Sequence, residues 1–153
     1  MATPVGVYTC KLDDKGRLLL PAQLKNKFQP VLAEGFILKQ SVYKPALELY
    51  PMARWNKLME KLEELDPFQE DTDVFIRTFV AGHREVEVDK PGRILVTKEL
   101  QAYAGLGKEV IIASMVGKVE IWDKAKYYEV VNDPNIKFGE LAKTVMSKNN
   151  NPE

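Results

Sequence analysis

One motif occurs twice in this chain, and it constrains the fold more than any other feature. Leu12-Asp13-Asp14-Lys15-Gly16-Arg17-Leu18-Leu19-Leu20 returns as Val88-Asp89-Lys90-Pro91-Gly92-Arg93-Ile94-Leu95-Val96. Both copies read aliphatic, Asp, two residues, Gly, Arg, three aliphatics. The Asp residues stand 76 positions apart (89 − 13), and so do the Arg residues. A short polar turn between two apolar runs is a hairpin signal. Gly16 and Gly92 supply a positive φ that other residues resist. Asp13 and Asp89 accept backbone N–H groups and order the turn. Arg17 and Arg93 leave it as fixed, always-charged forks of donors, with Lys15 and Lys90 beside them. A fold that does this twice is built from two similar halves.

The duplication extends past the turns. Leu100 and Ala104 match Leu24 and Phe28 at the same offset of 76, and Val119-Glu120-Ile121-Trp122 mirrors Leu47-Glu48-Leu49-Tyr50 at an offset of 72. Gly6, Tyr8, Cys10 and Leu12 share one face of a first strand by period-two alternation. A strand Arg17–Leu20 follows, and Pro21 is expected at the first position of a short helix. Further strands are expected at Phe36–Lys39, Ala46–Tyr50, Val110–Ala113 and Val119–Trp122. Trp55, Leu58, Met59, Leu62 and Leu65 have helical spacing. Asp66-Pro67 is read as the start of a connecting helix, with Phe75, Ile76, Phe79 and Val80 as its apolar face and Gly82 at its close. Phe138, Leu141, Ala142 and Val145 fit one amphipathic helix, and Ser147–Glu153 is expected to fray. The expected organisation is a first repeat over 5–65, a connecting helix over 66–83, a second repeat over 84–131 and a tail over 132–153. With 153 residues in all, each half is too small to bury an adequate core alone. The halves must pool their apolar surface.

Several kinds of chemistry find no support. His83 is the sole His and Cys10 the sole Cys, so neither a ligand cluster nor an internal disulfide is indicated. His83 follows the helix stop at Gly82 and is read as an exposed or capping residue. Cys10 is read as a buried structural thiol. The adjacent pairs Asp13/Asp14 and Glu63/Glu64 diverge, so they make no glycosidase-like couple. Gly105 and Gly107 precede a strand rather than a helix, unlike a phosphate-cradling loop. Trp55, Trp122, Tyr127 and Tyr128 fall at core-facing positions. No enzyme, metal or cofactor is expected. Met1-Ala2-Thr3-Pro4 lacks a signal peptide's pattern and no apolar run reaches a membrane span, so a soluble cytoplasmic protein is expected.

Lys+Arg and Asp+Glu are both 22, so no global basic excess points to nucleic acid. The argument for it is local. An Arg on a rigid turn, with a Lys nearby, suits phosphates or guanine edges. Aromatic residues do not interleave with this cluster, which disfavours a single-strand stacking surface.

Over about Gly6 to Tyr128 the sequence resembles the MraZ family of bacterial transcriptional regulators. The resemblance rests on the two doubled motifs, on Gly6-Val7-Tyr8, on Pro21-Ala22, on Leu47-Glu48-Leu49-Tyr50-Pro51 with Trp55, and on Val119-Glu120-Ile121-Trp122-Asp123. It implies an α+β fold of two AbrB-like swapped-hairpin elements. These form a pseudo-two-fold β-barrel with helices packed outside. It also implies a ring-shaped homo-oligomer, associated with the nucleoid. Such a ring binds direct repeats in double-stranded DNA upstream of its own operon, the division and cell wall gene cluster, and represses it. By the same resemblance Arg17 is the residue most tied to DNA contact, Asp13 and Asp89 order the turns, and Arg93 corresponds to Arg17 by pseudo-symmetry. Thr97 stands where the family's second motif usually has Pro, and Pro91 replaces a polar turn residue, so Arg93 is expected to count for less. The competing expectation is an AbrB-like module of the antitoxin type that grips a partner protein, with the tail as the gripping segment.

Overall fold

The computed structural model describes residues 4–149. In the first half come β1 (Val7–Lys11), β2 (Arg17–Leu19), α1 (Ala22–Phe28), a 3-10 turn (Gln29–Glu34), β3 (Phe36–Gln40), β4 (Leu47–Pro51), α2 (Met52–Glu63) and α3 (Glu70–Val80). The second half repeats the order: β5 (Arg84–Val86), β6 (Arg93–Leu95), α4 (Lys98–Ala104), β7 (Glu109–Ser114), β8 (Val119–Asp123), α5 (Lys124–Val131) and α6 (Phe138–Asn149).

The strands pair across the halves. A six-stranded antiparallel sheet runs β1-β7-β8-β4-β3-β5, and β2 and β6 form a separate two-stranded ribbon. The first strand of each half therefore lies against the third strand of the other, β1 on β7 and β5 on β3. Register shows the internal symmetry. Glu48 faces Glu120 in the β4–β8 pair, and Leu18 faces Ile94 in the ribbon. In each case a residue meets its own counterpart, so both pairs lie on a pseudo-two-fold axis. Among the described residues the ladders leave β1 and β5 as sheet edges, and the bridge Leu12–Leu18 ties the ribbon to the end of β1.

Alternation along the strands sorts the two faces of the sheet. Leu47, Leu49, Phe36, Leu38 and Ile112 pack on one side with Leu18, Ile94, Leu24, Phe28, Leu100 and Ala104, so the ribbon, α1 and α4 cover that side. On the other side Ile37 and Tyr50 meet Trp55 of α2, and Phe79 of α3 stacks on Trp55 with centroids 6.3 Å apart. This side also buries charge. Lys39, with no exposed surface, donates to Glu48 at 2.7 Å. Lys118 and the Tyr50 hydroxyl donate to the same carboxylate. Burial pulls the Lys39 ammonium below the usual lysine range.

Several elements depart from expectation. α3 begins at Glu70, not at Pro67. The Asp66 carboxylate accepts from Phe68 N–H at 2.9 Å and closes a turn there. The acids Glu70, Asp71 and Asp73 then occupy the first helical turn, where the helix dipole favours them. Pro21 precedes α1 in extended conformation rather than opening it. Leu65 lies beyond the end of α2 and is exposed, as are Phe75 and Tyr128. Ser147–Asn149 continue α6 instead of fraying; the rest of that expected frayed stretch lies outside the described residues. Thr97 takes over the place of Pro21 as the residue before the helix, and its hydroxyl accepts from Leu100 N–H. The Pro-to-Thr departure thus exchanges one helix start for another.

Because β1 and β5 are paired only with the opposite half, residues 1–66 alone should not form a stable monomer. Expressed by itself, that fragment is expected to be unfolded or to dimerise in place of the missing half. Sedimentation and circular dichroism decide it, and a soluble folded monomer would refute the exchanged-strand architecture.

Candidate nucleic-acid interface

The site is built from the two turns and the ribbon they flank. In the first turn Asp13 Oδ1 accepts from the backbone N–H of Lys15 at 2.9 Å and of Arg17 at 2.8 Å. Its Oδ2 accepts from Arg17 Nε at 2.8 Å. In the second, Asp89 Oδ1 accepts from Arg93 N–H at 2.6 Å and Gly92 N–H at 3.1 Å, and Oδ2 from Arg93 Nε at 2.9 Å. Each aspartate thus bonds backbone N–H groups and the arginine Nε within its own turn. Hydrogen bonds from the arginine's own backbone N–H lead in holding both carboxyls below the usual aspartate range. Gly16 (φ 80°) and Gly92 (φ 99°) take the left-handed conformation the turns need.

Each turn is braced by the other half. Val96 N–H donates to Gly16 C=O at 2.7 Å, and Leu20 N–H to Gly92 C=O at 2.9 Å. A side chain at Gly16 would run into the Val96 carbonyl and the Gln101 amide. The turns therefore sit at opposite ends of one rigid ribbon. Leu18 and Ile94, 0% and 1% exposed, anchor its inner face, while Leu19 and Leu95, at 53% and 54%, lie on the outer one. By alternation Arg17 and Arg93 share that outer face. Arg17 is opposite Leu95 and Arg93 opposite Leu19, so the arginines are diagonal neighbours across the ribbon, with backbones about 7–8 Å apart. With Nε tied to aspartate, each guanidinium keeps its two terminal nitrogens unengaged among the described residues. That pair is what a bidentate contact to guanine or phosphate requires.

The turns differ in charge. At an offset of 76, Lys15 corresponds to Pro91 and Asp14 to Lys90, so the lysines are not at equivalent positions. Pro91 has no N–H, which is why Asp89 turns to Gly92 where Asp13 uses Lys15. The second turn also gains a cation that sequence reasoning missed. Lys25, on α1, donates to the Lys90 carbonyl at 3.2 Å and lies against Gly92. Its counterpart at the first turn is the neutral Gln101, which donates to Val96 C=O at 2.8 Å. Arg93 is thus held like Arg17 in more basic surroundings. The signal was the shared offset of 76, which places position 25 beside the turn of the other half once the strands are exchanged. Lys25→Gln is expected to weaken DNA binding uniformly across sequences. It should lower the slope of log affinity against log salt by about 0.9 per protomer; a salt titration reads this directly.

The remaining single residues have structural places. His83 is exposed, its Nδ1 lies 2.6 Å from Val80 C=O at the end of α3, and its ring stacks on Trp55. Cys10 is half-buried, and burial pushes its thiol up to about 11. No helix is long and apolar enough to cross a membrane among the described residues.

Comparison with known proteins agrees with the doubled architecture. The family model described as "MraZ protein, putative antitoxin-like" matches twice, over residues 5–78 and 79–145. A protein of Christiangramia forsetii named transcriptional regulator MraZ is 44% identical over 146 residues, covering 95% of this chain and 94% of its own. Its namesake in Flavobacterium psychrophilum is 43% identical over 153 residues, covering 100% and 98%. Another in Acetivibrio thermocellus is 39% identical over 137 residues, covering 90% and 92%. Two tandem matches spanning most of the chain, carried by two exchanged halves with matching turns, establish that the chain belongs to the MraZ family.

Proposed function

We propose that this protein is a sequence-specific, double-stranded DNA-binding transcriptional regulator. On this reading it represses the division and cell wall gene cluster by binding direct repeats in its own operon promoter. The observation that carries the reading is the outer face of the β2–β6 ribbon, where two aspartate-held arginines stand as diagonal neighbours. The major groove admits a two-stranded ribbon. Arg17 and Arg93 are the readers, with Lys15, Lys90 and Lys25 as phosphate contacts. Asp13, Gly16, Asp89 and Gly92 keep the turns in shape. Ribbon and sheet serve as facing walls of a barrel, with repeats over 5–65 and 84–131 as its two halves, 66–83 as connector and 132–153 as tail. The regulator works in the cytoplasm, at the nucleoid, without catalysis or cofactor.

The homo-oligomeric ring that the resemblance implies fits the neutral charge. A neutral protomer neutralises few phosphates, so one protomer on one site holds weakly at physiological salt. Several copies of the same face on adjacent repeats bind at high effective concentration. Exposed apolar residues on the outer helices, Phe75 on α3 and Leu141, Val145 and Met146 on α6, support self-association. The same exposed face of α6 favours the second reading, a module of the antitoxin type that grips a partner protein.

Titration over one repeat, two repeats one helical turn apart, and two repeats shifted by half a turn separates these readings. Two in-phase repeats are expected to bind far more tightly than one, and the half-turn shift to remove most of the gain, since the second site then faces away. Equal affinity for all three would contradict repeat-reading by an oligomer.

A further inference from the structure

On the face of the sheet opposite the ribbon, α2 and the β7–β8 turn enclose a cleft of about 270 Å³ walled by Arg54, Lys57, Lys61 and Lys118. Positions 54, 57 and 61 follow i, i+3, i+7 spacing and share one helix face. A chain with equal numbers of acids and bases has concentrated four cations there. Part of the arrangement works against the helix, although Lys61 lies in the last turn, where the dipole favours a cation. Lys57 and Lys61 repel at i, i+4, and the first turn of α2 holds no acid, although its dipole would favour one. Among the described residues Arg54, Lys57 and Lys61 form no ion pair. Lys118 is paired with Glu48, which it shares with Lys39, and Glu120, across the strands from Glu48, is the second carboxylate behind the cleft, so the charge left for a ligand is that of Arg54, Lys57 and Lys61.

The turn is shaped to admit the arginine. Gly117 has φ 77°, and a Cβ there would collide with Nη2 and Nε of Arg54. The guanidinium thus lies against the turn, where Arg54 and Lys118 are half-buried and Lys57 and Lys61 are exposed. We propose that this cleft is a binding site for a small polyphosphate: pyrophosphate, triphosphate or the phosphate tail of a nucleotide. From position 54 to 61 the cations span roughly 10 Å along the helix, room for more than one phosphate. The volume lies just under the roughly 300–1,000 Å³ of pockets for drug-sized ligands, which fits a small anion. Duplex DNA on the ribbon does not reach it, because the six-stranded sheet lies between. The pairs Leu47/Leu49 and Glu48/Tyr50 of β4 mark those two faces.

Calorimetric titration of the full chain with inorganic triphosphate, pyrophosphate and sulfate at fixed ionic strength tests this. One saturable site per protomer is expected, with triphosphate tightest and sulfate weakest. Lys61→Gln, an exposed change that leaves the fold alone, should weaken triphosphate about tenfold, and Arg54→Gln with Lys57→Gln about a hundredfold or more, at one charge-assisted contact per residue. Lys143→Gln with Lys148→Gln, an equal charge loss on α6, should change nothing. The proposal is overturned by no saturable binding by the parent, by equal weakening from the α6 control, or by sulfate binding as well as triphosphate. It also fails if Lys61→Gln weakens duplex DNA and DNA displaces triphosphate, since DNA phosphate is then the ligand. A change in oligomer size without triphosphate binding would make the cleft a contact between copies instead.

Discussion

Replacing Arg17 and Arg93 together by alanine is expected to abolish specific DNA binding and leave the fold intact. Each bidentate base contact is worth about 1–3 kcal/mol, which is about five- to 150-fold in affinity per contact. The loss recurs in every protomer that touches a repeat. Structure is spared because the alanine backbones keep the N–H groups that Asp13 and Asp89 bind. The lost Nε–carboxylate contacts are partly exposed, where ion pairs hold little stability. The single variants should each lose a large part of the binding, because the structure holds Arg93 as firmly as Arg17 and adds Lys25 beside its turn. Mobility shift on promoter DNA, with circular dichroism as the fold control, reads both effects. A double variant that shifts operator DNA like the parent would remove these arginines from the mechanism.

The second large effect is on stability. Glu48→Gln should destabilise the protein by about 3–5 kcal/mol, the usual cost of removing one partner from a buried ionic group. That is a large share of a typical 5–15 kcal/mol and corresponds to a fall in Tm of about 10 °C for a chain of this size. Glu48 is the anion between two ammoniums, Lys39 and Lys118, so its neutral isostere leaves both cations uncompensated beneath α2 and α3. Adding Lys39→Met should recover part of the loss, since the methionine keeps a flexible chain against the Phe79 ring that the ammonium now faces at 4.4 Å. Burial alone would raise the Glu48 carboxyl, but hydrogen bonds from Lys118 and Lys39 prevail and hold it below the usual glutamate range. A depressed carboxyl contributes stability above its unfolded pKa and loses it as pH falls through the folded value. Stability should therefore drop below roughly pH 4. Glu48→Gln should flatten that acid limb, as thermal melts across pH would show.

How far the sequence could be read depended on the range of the interaction. Alternation and helical spacing located the strands and helices of both halves, because period and turn chemistry are local. The doubled Asp–Gly–Arg turns were legible as turns, since Asp13 and Asp89 bond groups within four residues of themselves. The partners of β1 and β5 were not legible. Period two sorts faces but does not say which strand lies alongside. The exchanged pairing then determined what else was missed: Lys25 beside the opposite turn, and Lys39, Glu48 and Lys118 meeting across β3, β4 and the β7–β8 turn. The expected start of α3 failed because Asp66 is equally suited to a local turn and to a helix cap, and the backbone chose the turn. Tyr128 matched a helical pattern but lies on the outer side of α5, which one chain alone leaves uncovered.

The most direct test of the reading function is binding of the full-length protein to DNA upstream of its own gene. The comparison is with a shuffled duplex of equal length and composition, at stated salt. A preference of about a thousandfold or more for the upstream DNA is predicted, the lower end of the range that separates specific from non-specific sites. Footprints should fall on repeated short elements, and both should vanish in the Arg17/Arg93 double variant. Equal affinity for the two duplexes, with the same salt dependence, would contradict it.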